Sequence, residues 1–516
     1  MRSRPSSVRI RCLAPALAAA FILLAGAAAR AETTLTVLQA EAPRSMDPGD
    51  HTASVTGTML EPMYEGLVVR DRDMRIVPSL ATSWTNTEAG KVWTFRLRPG
   101  VTFHDGTKFD AAAVVHSFGR FLDPQRGLAA AGRISAVLAS TKATDDMTVE
   151  FTLKAPYAGF LTLLATGVSK IVSEKADEAR NLGLVPVGTG AFKFVAWKSG
   201  EYVLEARNDA YWGDKPGVDQ IKFSWSGETS VLSMSVQAGN ADVVYPLPPV
   251  FAPVIKNNPN LKLSDTVGSF VYWVSLNTRL PPLDNVKVRQ ALNFATDRPG
   301  LVAALLRGYG QPANSPLAPT NPNYSPTLNT YDFDPAHAKR LLAEAGLPDG
   351  FTMTVAVQER DAPIAQALQG MWSKAGVTLD IRRQESGVWA KAAFANPDAK
   401  KADNLAASIA SWSSGTFNAD LQLRPLYHTA TWAPGGANLG FFSDPALDRL
   451  IDQGASELDE AKARVIYAQA QQLINEQAPH VLLYYTRDLL ATSAKVGNVW
   501  MQPGGVITVQ YATKAN

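Results

Sequence analysis

The sequence predicts an α/β protein with more than one hydrophobic core. Segments whose apolar residues recur at every second position, as in half-buried strands, alternate with segments that carry helix start and stop signals. Alternation in such blocks is typical of α/β folds. The chain has 516 residues, more than one core normally organises, so we expect it to divide into separate lobes.

The first third of the chain carries clear strand and helix patterns. Trp93, Phe95 and Leu97 point to one side and the intervening residues to the other, which predicts a strand with one exposed face. Asp110 can accept a hydrogen bond from the first turn of a helix that follows it. The other elements predicted here are a strand at residues 35–39, a helix at 55–64 and a strand at 148–153.

Residues 186–223 predict a β-meander with glycine turns. Gly188 and Gly190 bracket Thr189, and we expect them to supply a turn in which a side chain would clash. The residues from 192 to 196 then alternate, which predicts a strand. Residues 202–205 predict its partner, and residues 218–223 predict a third strand.

The last third combines capped helices with apolar strands. Asp334, Pro335 and Gly346 stand where a helix N-cap, first turn and terminating residue belong, which predicts a helix over residues 335–345. The remaining elements predicted here are helices after Asp444 and over residues 459–476, and strands at 351–357 and 481–485.

Residues 1–31 have the organisation of an export signal. Arginines precede an apolar stretch rich in small residues, and Ala29-Arg30-Ala31 fits the small-x-small rule for cleavage. A retained membrane anchor is the alternative, but Pro15 interrupts an apolar run shorter than the ~20 residues that a spanning helix needs. We therefore expect cleavage before Glu32 and a soluble protein in the periplasm.

Composition excludes several classes of protein. Cys12, the only cysteine, lies in the signal, so the mature chain has no disulfide, no thiol nucleophile and no lipid-bearing cysteine. The signal contains five of the 49 Lys and Arg residues, which leaves 44 against 47 Asp and Glu. A near-neutral chain without a basic block is not expected to bind nucleic acid.

The sequence carries no catalytic or metal-binding motif. Nucleophile-elbow, zinc-protease, phosphate-loop and dinucleotide fingerprints are all missing. The six histidines are scattered and nowhere stand at metal-ligand spacing. We therefore expect no enzyme activity, no metal and no cofactor, and keep a periplasmic hydrolase or peptidase as the alternative.

Five segments, in order along the mature chain, closely resemble one family. They are residues 63–67 (MYEGL), 101–109 (VTFHDGTKF), 186–223, 286–298 (VKVRQALNFATDR) and 331–346. On these segments the chain resembles the extracellular solute-binding proteins of ABC importers, in the peptide, nickel and glutathione-type group.

The resemblance implies a two-lobed periplasmic-binding-protein fold, in which a hinge of paired strands lets the lobes close on a ligand. It implies a first lobe of residues 32–277 plus 490–516, with an extra subdomain at about 71–185, and a second lobe of residues 278–489. Such a protein captures a small-molecule or peptide ligand and delivers it to permease and ATPase subunits in the inner membrane. We expect a monomer that performs no chemistry itself.

Residues 411–426 (SWSSGTFNADLQLRPL) hold the predicted binding site. Trp412 is followed by small hydrogen-bonding residues and then by Asp420 and Arg424, types that suit a pocket for a zwitterion. Spacing alone favours a solvated loop followed by a helix with an i,i+4 pair between Asp420 and Arg424. The resemblance implies instead that the loop faces the ligand. The candidate contacts are Trp412, Ser413, Ser414, Thr416, Asn418, Asp420, Arg424, Tyr272 and Trp389, the last in a predicted loop.

The same loop bears on ligand choice. Peptide-binding members of the family place an aspartate three residues past the tryptophan, where this chain has Gly415. Nickel-binding members use a histidine in the loop, and this loop has none. The match is closest to the glutathione-binding branch, with departures at Phe417, Asn418, Leu421 and Tyr272. We expect glutathione-like or short-peptide ligands, with opines or other amino-acid conjugates as the alternative.

Overall fold

The computed structural model describes Met1 and residues 32–515, apart from residues 52, 180, 329–330, 414–416 and 503. Apart from Met1, the predicted export signal lies outside the described residues. Within the described part of the chain, no helix is both long enough and apolar enough to cross a membrane.

Strands and helices alternate along the chain, which confirms the predicted α/β class. The strands are β1 (Thr34–Gln39), β2 (Val68–Arg70), β3 (Ile76–Pro78), β4 (Ala81–Thr87), β5 (Val92–Leu97), β6 (Leu138–Asp145), β7 (Thr148–Leu153), β8 (Phe192–Lys198), β9 (Tyr202–Arg207), β10 (Gln220–Trp225), β11 (Val243–Tyr245), β12 (Leu261–Leu276), β13 (Gly310–Pro312), β14 (Phe351–Gln358), β15 (Val377–Gln384), β16 (Leu405–Trp412), β17 (His480–Ser493), β18 (Val496–Gly497), β19 (Trp500–Gln502), β20 (Val506–Thr508) and β21 (Thr513–Lys514). The α-helices are α1 (Ser54–Leu60), α2 (Ala111–Leu122), α3 (Ala131–Ser135), α4 (Phe160–Leu164), α5 (Glu174–Glu178), α6 (Thr229–Gln237), α7 (Ala252–Lys256), α8 (Val286–Phe294), α9 (Arg298–Leu306), α10 (Pro335–Glu344), α11 (Ala362–Trp372), α12 (Ser386–Ala393), α13 (Pro397–Ala402), α14 (Ala419–Tyr427), α15 (Pro445–Ser456) and α16 (Glu460–Gln477).

One sheet of eleven strands runs through the molecule and has two halves. Its order is β15-β14-β16-β12-β17-β11-β1-β10-β9-β8, and β13 pairs with β17 beside this path. In the first half, β1 is parallel to β10 and β11. In the second half, β14 is parallel to β15 and β16. The long antiparallel strands β12 and β17 pass through both halves and join them.

The register of β12 and β17 shifts where the two halves meet. Residues 268–270 of β12 lie opposite Thr486 of β17 alone, and we call these four residues the crossover. On one side of the crossover β17 pairs with β11, and on the other side it pairs with β13. Extra residues of this kind interrupt the hydrogen-bond ladder and bend the strands.

Helices cover both faces of each half of the sheet. On the second half, α8, α10 and α11 pack on one face and α14, α15 and α16 on the other. On the first half, α1 packs on one face, and α6 and α7 on the other. These separate layers of buried side chains confirm that the chain has more than one hydrophobic core.

A four-stranded antiparallel sheet, ordered β4-β5-β7-β6, forms a further core. Its buried side chains run from Leu67 to Ile171. Phe151 is the centre of an aromatic cluster, with ring centroids 4.9 Å from Phe118 and 5.4 Å from Phe95. Such edge-to-face packing contributes beyond the buried area. We call this part of the chain the antiparallel subdomain.

The predicted helix start signals act as caps. Asp110 Oδ1 accepts a hydrogen bond from Ala113 N at 3.1 Å, and α2 begins at the next residue. Asp334 Oδ1 accepts one from His337 N at 2.8 Å, and α10 begins at Pro335 as predicted. A carboxylate at this position satisfies an amide that the helix leaves without a partner.

The predicted meander is confirmed as β8, β9 and β10, but its glycines serve a different purpose. Neither Gly188 nor Gly190 has a positive φ. A Cβ built on Gly188 would lie 2.2 Å from the carbonyl oxygen of Met63, and one on Gly190 would lie 2.3 Å from that of Pro62. These glycines are required for the close approach of two backbone segments, not for the turn that the sequence predicts.

Glu65 holds the same two segments together. Its carboxylate accepts hydrogen bonds from Thr189 Oγ1 at 2.8 Å, the Tyr211 hydroxyl at 2.8 Å and Trp212 Nε1 at 2.7 Å. Burial raises the pKa of Glu65, and the three donors oppose that shift by stabilising the charged form. Glu65 therefore links the MYEGL segment (residues 63–67) to the meander, and we call this contact between the two segments the joint.

His104 belongs to this joint as well. It lies in the turn that the sequence predicts, and its Nε2 is 3.0 Å from the Gly190 carbonyl oxygen. Its backbone N–H donates to the Gly188 carbonyl oxygen at 2.8 Å. Burial lowers the pKa of His104 to about 4, so the ring is neutral at physiological pH. The histidine links segments of the fold.

Candidate functional site

The carboxyl ends of the parallel strands mark the candidate site. In open α/β sheets, ligands bind in the crevice beyond these ends. The ends are Gln39, Trp225 and Tyr245 in the first half of the sheet, and Gln358, Gln384 and Trp412 in the second. The long strands β12 and β17 run between the two edges.

Polar side chains from three adjacent strands form a cluster at the first edge. Gln39 of β1, Tyr245 of β11, and Thr486 and Asp488 of β17 lie on the same face of the sheet. Further along each of these strands, the same face packs against one hydrophobic core. We call these four residues the hinge cluster. Both polar atoms of Gln39, Thr486 Oγ1 and Asp488 Oδ2 are buried and have no hydrogen-bond partner among the described residues. Because buried polar groups are normally paired, these atoms are candidates for ligand contact.

The crossover lies directly beside the hinge cluster. A Cβ built on Gly268 would lie 2.7 Å from Thr486 Oγ1 and 3.1 Å from Asp488 Oδ2, so both oxygens face the space that the missing side chain leaves. Ser269 Oγ lies 2.5 Å from Ser413 Oγ. The predicted ligand loop, which contains Ser413, therefore meets the first edge at the crossover.

Asp488 is a half-buried carboxyl group beside neutral neighbours. Burial raises its pKa to about 6, while hydrogen bonds from the Gly504 backbone and the Tyr245 side chain partly oppose the shift. Burial and the proximity of Asp488 raise the pKa of Tyr245, which therefore stays protonated. Arg487, which directly precedes Asp488 in the sequence, forms an ion pair with Asp265. The carboxyl group thus stands close to its titration point at neutral pH.

Stability should report this titration. A folded-state pKa of about 6, against about 4 in the unfolded chain, means that the carboxylate of Asp488 destabilises the protein above pH 6, by about 2–3 kcal/mol. That cost disappears as the pH falls from 6 toward 4, because the folded state then binds the proton more tightly than the unfolded state. Urea unfolding should show Asp488→Asn more stable than the wild type at pH 7.5 and converging with it at pH 4.5. A difference that stays constant across this range would contradict the assignment.

The second edge also carries unpartnered polar atoms. Gln384 Oε1 and Trp389 Nε1 are buried and have no hydrogen-bond partner among the described residues. Trp389 lies in helix α12 and not in the predicted loop, because Glu385 caps this helix by accepting from Gly387 N at 2.9 Å. Only 9% of Trp389 is exposed, and its ring packs in the core under α14, α15 and α16, so its contact with a ligand stays a prediction.

The predicted ligand loop is held at both ends. Trp412 ends β16, and its Nε1 donates to the Leu421 carbonyl oxygen at 3.3 Å. Asn418 caps α14, since its Oδ1 accepts from Asp420 N at 2.8 Å, and its Nδ2 donates to the Tyr157 hydroxyl at 2.8 Å. Three residues between these ends, Ser414, Gly415 and Thr416, lie outside the described residues.

Asp420 and Arg424 bind each other. Arg424 Nε donates to Asp420 Oδ1 at 2.8 Å, and its Nη1 donates to Asp452 Oδ1 at 2.7 Å. This is the i,i+4 helix pair that spacing alone favours. Contact of either residue with a ligand stays a prediction.

Tyr272 lies in an aromatic stack beneath the second edge. Its ring is 4.9 Å from that of Tyr484, with 25° between the ring planes. It packs against the core under α8, α10 and α11, and burial raises its pKa. Contact of Tyr272 with a ligand stays a prediction.

The antiparallel subdomain contacts the second half of the molecule. Ala158 N donates to the Ala455 carbonyl oxygen at 3.0 Å, beside the bond between Asn418 and Tyr157. The Arg70 guanidinium lies 5.2 Å from the centre of the Phe417 ring. A cavity of about 580 Å³ remains between the two parts, a volume in the range of small-molecule sites.

Sequence reasoning missed the hinge cluster. Its members come from three distant parts of the chain, so no local motif joins them. One signal was present, since Thr486, Arg487 and Asp488 interrupt the apolar run of residues 481–491. Within the described residues, no group of three His, Cys, Asp or Glu side chains is arranged to hold a metal.

Comparison with known proteins places this architecture in a family. Residues 75–434 match the model of the bacterial extracellular solute-binding proteins, family 5 Middle. The chain belongs to this family. It is 32% identical over 474 residues to the glutathione-binding protein GsiB of Pectobacterium atrosepticum, with 91% of each chain covered. It is 29% identical over 465 residues to GsiB of Escherichia coli K12, with 89% of this chain and 90% of the relative covered.

Solved structures of family 5 proteins share the fold. HbpA2 from Haemophilus parasuis superposes with a TM-score of 0.85 at 27% identity, covering 94% of this chain and 100% of that one. The periplasmic binding protein DppA from Helicobacter pylori, in complex with the peptide STSA, gives a TM-score of 0.77 at 26% identity, covering 94% and 98%. The family and the periplasmic-binding-protein fold that the sequence predicts are confirmed.

Family 5 membership fixes the general role. Members are extracellular solute-binding proteins that bind small-molecule or peptide ligands and work with ABC permease and ATPase components. GsiB and DppA are both named as binding proteins.

Proposed function

We propose that this protein is the periplasmic substrate-binding component of an ABC importer and captures glutathione-like or short-peptide solutes. The observation that carries the proposal is the set of unpartnered polar atoms where the two strand edges meet at the crossover. The relative with 32% identity is named as a glutathione-binding protein, and a structural neighbour holds a peptide. Both kinds of solute offer amines, carboxylates and amides that suit such atoms.

Ligand capture would proceed by closure of two lobes. We propose a first lobe of residues 32–277 plus 490–516, with the subdomain at about 71–185, and a second lobe of residues 278–489, as the resemblance implies. The crossover in β12 and β17 is the place where the lobes would turn, since the ladder is interrupted there. A ligand that contacts both edges binds the closed form more tightly and shifts the population toward it.

The remaining features of the proposal concern the chain around the site. Residues 1–31 would direct export and be removed, and the mature protein would act as a monomer without chemistry of its own. The ligand would contact the loop residues Trp412, Ser413 and Asn418 on the second lobe. Opines and other amino-acid conjugates share the same groups and are included in the test.

Ligand-induced stabilisation tests the function. A solute that binds only the folded protein adds about 4 kcal/mol to the free energy of unfolding at a thousand times its Kd. We expect glutathione or a short peptide to raise the unfolding midpoint of the purified protein by several degrees in a thermal shift assay, and glucose to leave it unchanged. Mass spectrometry of protein purified from its native periplasm should find the same class of solute. The proposal fails if no amine-bearing solute stabilises the protein and the native ligand belongs to another class.

A further inference from the structure

We infer that Asp488 is the receptor for a primary ammonium group of the ligand, held at the hinge between the lobes rather than in the loop after Trp412. The inference rests on the proposed function and deepens it, because it names the charge of the ligand and the residue that selects it. It also assigns a role to the unpartnered atoms of the hinge cluster.

The first argument is the charge balance of buried acids. Three other buried carboxylates in the described structure each have a cation within contact distance: Asp47 pairs with Arg120, Asp177 with Arg126 and Asp420 with Arg424. Asp488 has only the neutral donors of Gly504 and Tyr245, and its Oδ2 has no hydrogen-bond partner among the described residues. A half-buried carboxylate in this setting is stabilised when a cation enters with the ligand.

Glu205 is the instructive comparison. It too is buried without a hydrogen-bond partner among the described residues, and burial raises its pKa well above the ordinary value. It is fully enclosed in the middle of β9, however, whereas Asp488 is half-buried beside the crossover. Of these two carboxyl groups, Asp488 is the one that combines an unpartnered oxygen with a position beside the crossover.

The second argument is geometry. A primary ammonium group has three N–H donors and needs oxygen acceptors on one side. Asp488 Oδ2 and Thr486 Oγ1 both face the space beside Gly268, as the 3.1 and 2.7 Å approaches to a built Cβ show. Gln39 Oε1, which also has no partner among the described residues, comes from the adjoining edge. A side chain at residue 268 would collide with both oxygens, so glycine lets them lie this close to the β12 backbone.

The third argument concerns the acid that the sequence favoured. Asp420 Oδ1 is engaged by Arg424, and only 5% of the residue is exposed. An ammonium group at Asp420 would have to compete with a guanidinium that is already bound there.

Matched ligands with and without the amine test the inference. Isothermal titration calorimetry would compare glutathione with N-acetylglutathione, and the dipeptide Met-Leu with N-acetyl-Met-Leu, on the wild type, Asp488→Asn and Asp265→Asn. Asp265 is the matched control because it also lies on the paired hinge strands, where it binds Arg487. We expect the wild type and Asp265→Asn to prefer the free amines by about 50-fold or more, and Asp488→Asn to lose that preference.

A second measurement uses the wild type alone and does not depend on the folding of a variant. At pH 6 the Asp488 carboxyl is about half protonated, so binding of an ammonium group should release a fraction of a proton. Calorimetry in two buffers of different ionisation enthalpy detects this release. The neighbouring Tyr245, whose pKa burial raises, keeps its proton at this pH. The acetylated ligands should release none.

The outcomes separate this inference from the proposed function. If the wild type prefers free amines and Asp488→Asn retains the preference, the receptor is another residue and the proposed function stands. If Asp488→Asn weakens the free and acetylated ligands equally, the role of Asp488 is structural and the inference is overturned. If the wild type binds neither glutathione nor Met-Leu, with or without the acetyl group, the proposed ligand class is wrong and the inferred ammonium site is wrong as well.

Discussion

Replacing Gly188 with alanine should lower the free energy of unfolding by more than about 3 kcal/mol. The new Cβ would lie 2.2 Å from the Met63 carbonyl oxygen, which is backbone and cannot rotate away. Movement of either segment would also strain the hydrogen bond from Thr189 to Glu65. Because a chain of this size need not unfold in one step, the midpoint of thermal unfolding is the safer measure.

Gly119→Ala is the matched control for this prediction. Gly119 lies in helix α2 with nothing within 4 Å of a built Cβ, so alanine there should leave stability unchanged or raise it by about 0.5–1 kcal/mol. We expect Gly188→Ala to unfold at least about 5 °C below the wild type, and Gly119→Ala not to do so. Equal midpoints for the two variants would show that the joint between the MYEGL segment and the meander adapts to a side chain.

Local signals in the sequence predicted the elements that local chemistry determines. Asp334 and Pro335 act within one helical turn, and α10 begins where they predict. The alternation in residues 148–153 gives β7 with the predicted bounds. Such elements follow from caps and periodicity, which need no partner from elsewhere in the chain.

Elements that depend on distant partners were predicted less well. β17 runs from His480 to Ser493, far beyond the predicted strand at residues 481–485, because its polar centre is held by pairing with β12. The role of Gly188 was also misread, since the obstacle to a side chain is a carbonyl group more than a hundred residues away. Neither contact leaves a trace in the local pattern.

The same reasoning explains the outcome for the site. The family motif located the loop after Trp412, which does meet the crossover through Ser413. Spacing alone favoured a pair between Asp420 and Arg424, whereas the family motif favoured a ligand contact, and the structure shows the pair. Asp488 was passed over because its meaning depends on Gly268 and Tyr245, which approach it only in the folded sheet.

Closure of the cleft should depend on the small size of Gly159, and Gly159→Leu should weaken ligand binding by about 30-fold or more. A Cβ built on Gly159 would lie 1.9 Å from Asn418 Nδ2, across the interface between the antiparallel subdomain and the ligand loop. The same residue lies next to Ala158, whose N–H donates to the Ala455 carbonyl oxygen at 3.0 Å. A leucine side chain there separates the two surfaces, and a cost of about 2 kcal/mol to the closed form reduces affinity by that factor.

The kinetic form of this result distinguishes a block to closure from general damage. Ligand first meets the open protein, so Gly159→Leu should leave the association rate constant nearly unchanged and should increase the dissociation rate constant, as measured by surface plasmon resonance with glutathione. Gly119→Leu, in the same subdomain but facing open space, should alter neither rate constant. A side chain at residue 159 would also approach the Tyr157 ring, whose Cζ lies 2.8 Å from a built Cβ, so the thermal midpoint of the ligand-free protein separates loss of stability from a block to closure. If Gly159→Leu binds as tightly as the wild type, then the contact between Tyr157 and Asn418 is incidental to capture, and closure must depend on the crossover and the hinge cluster alone.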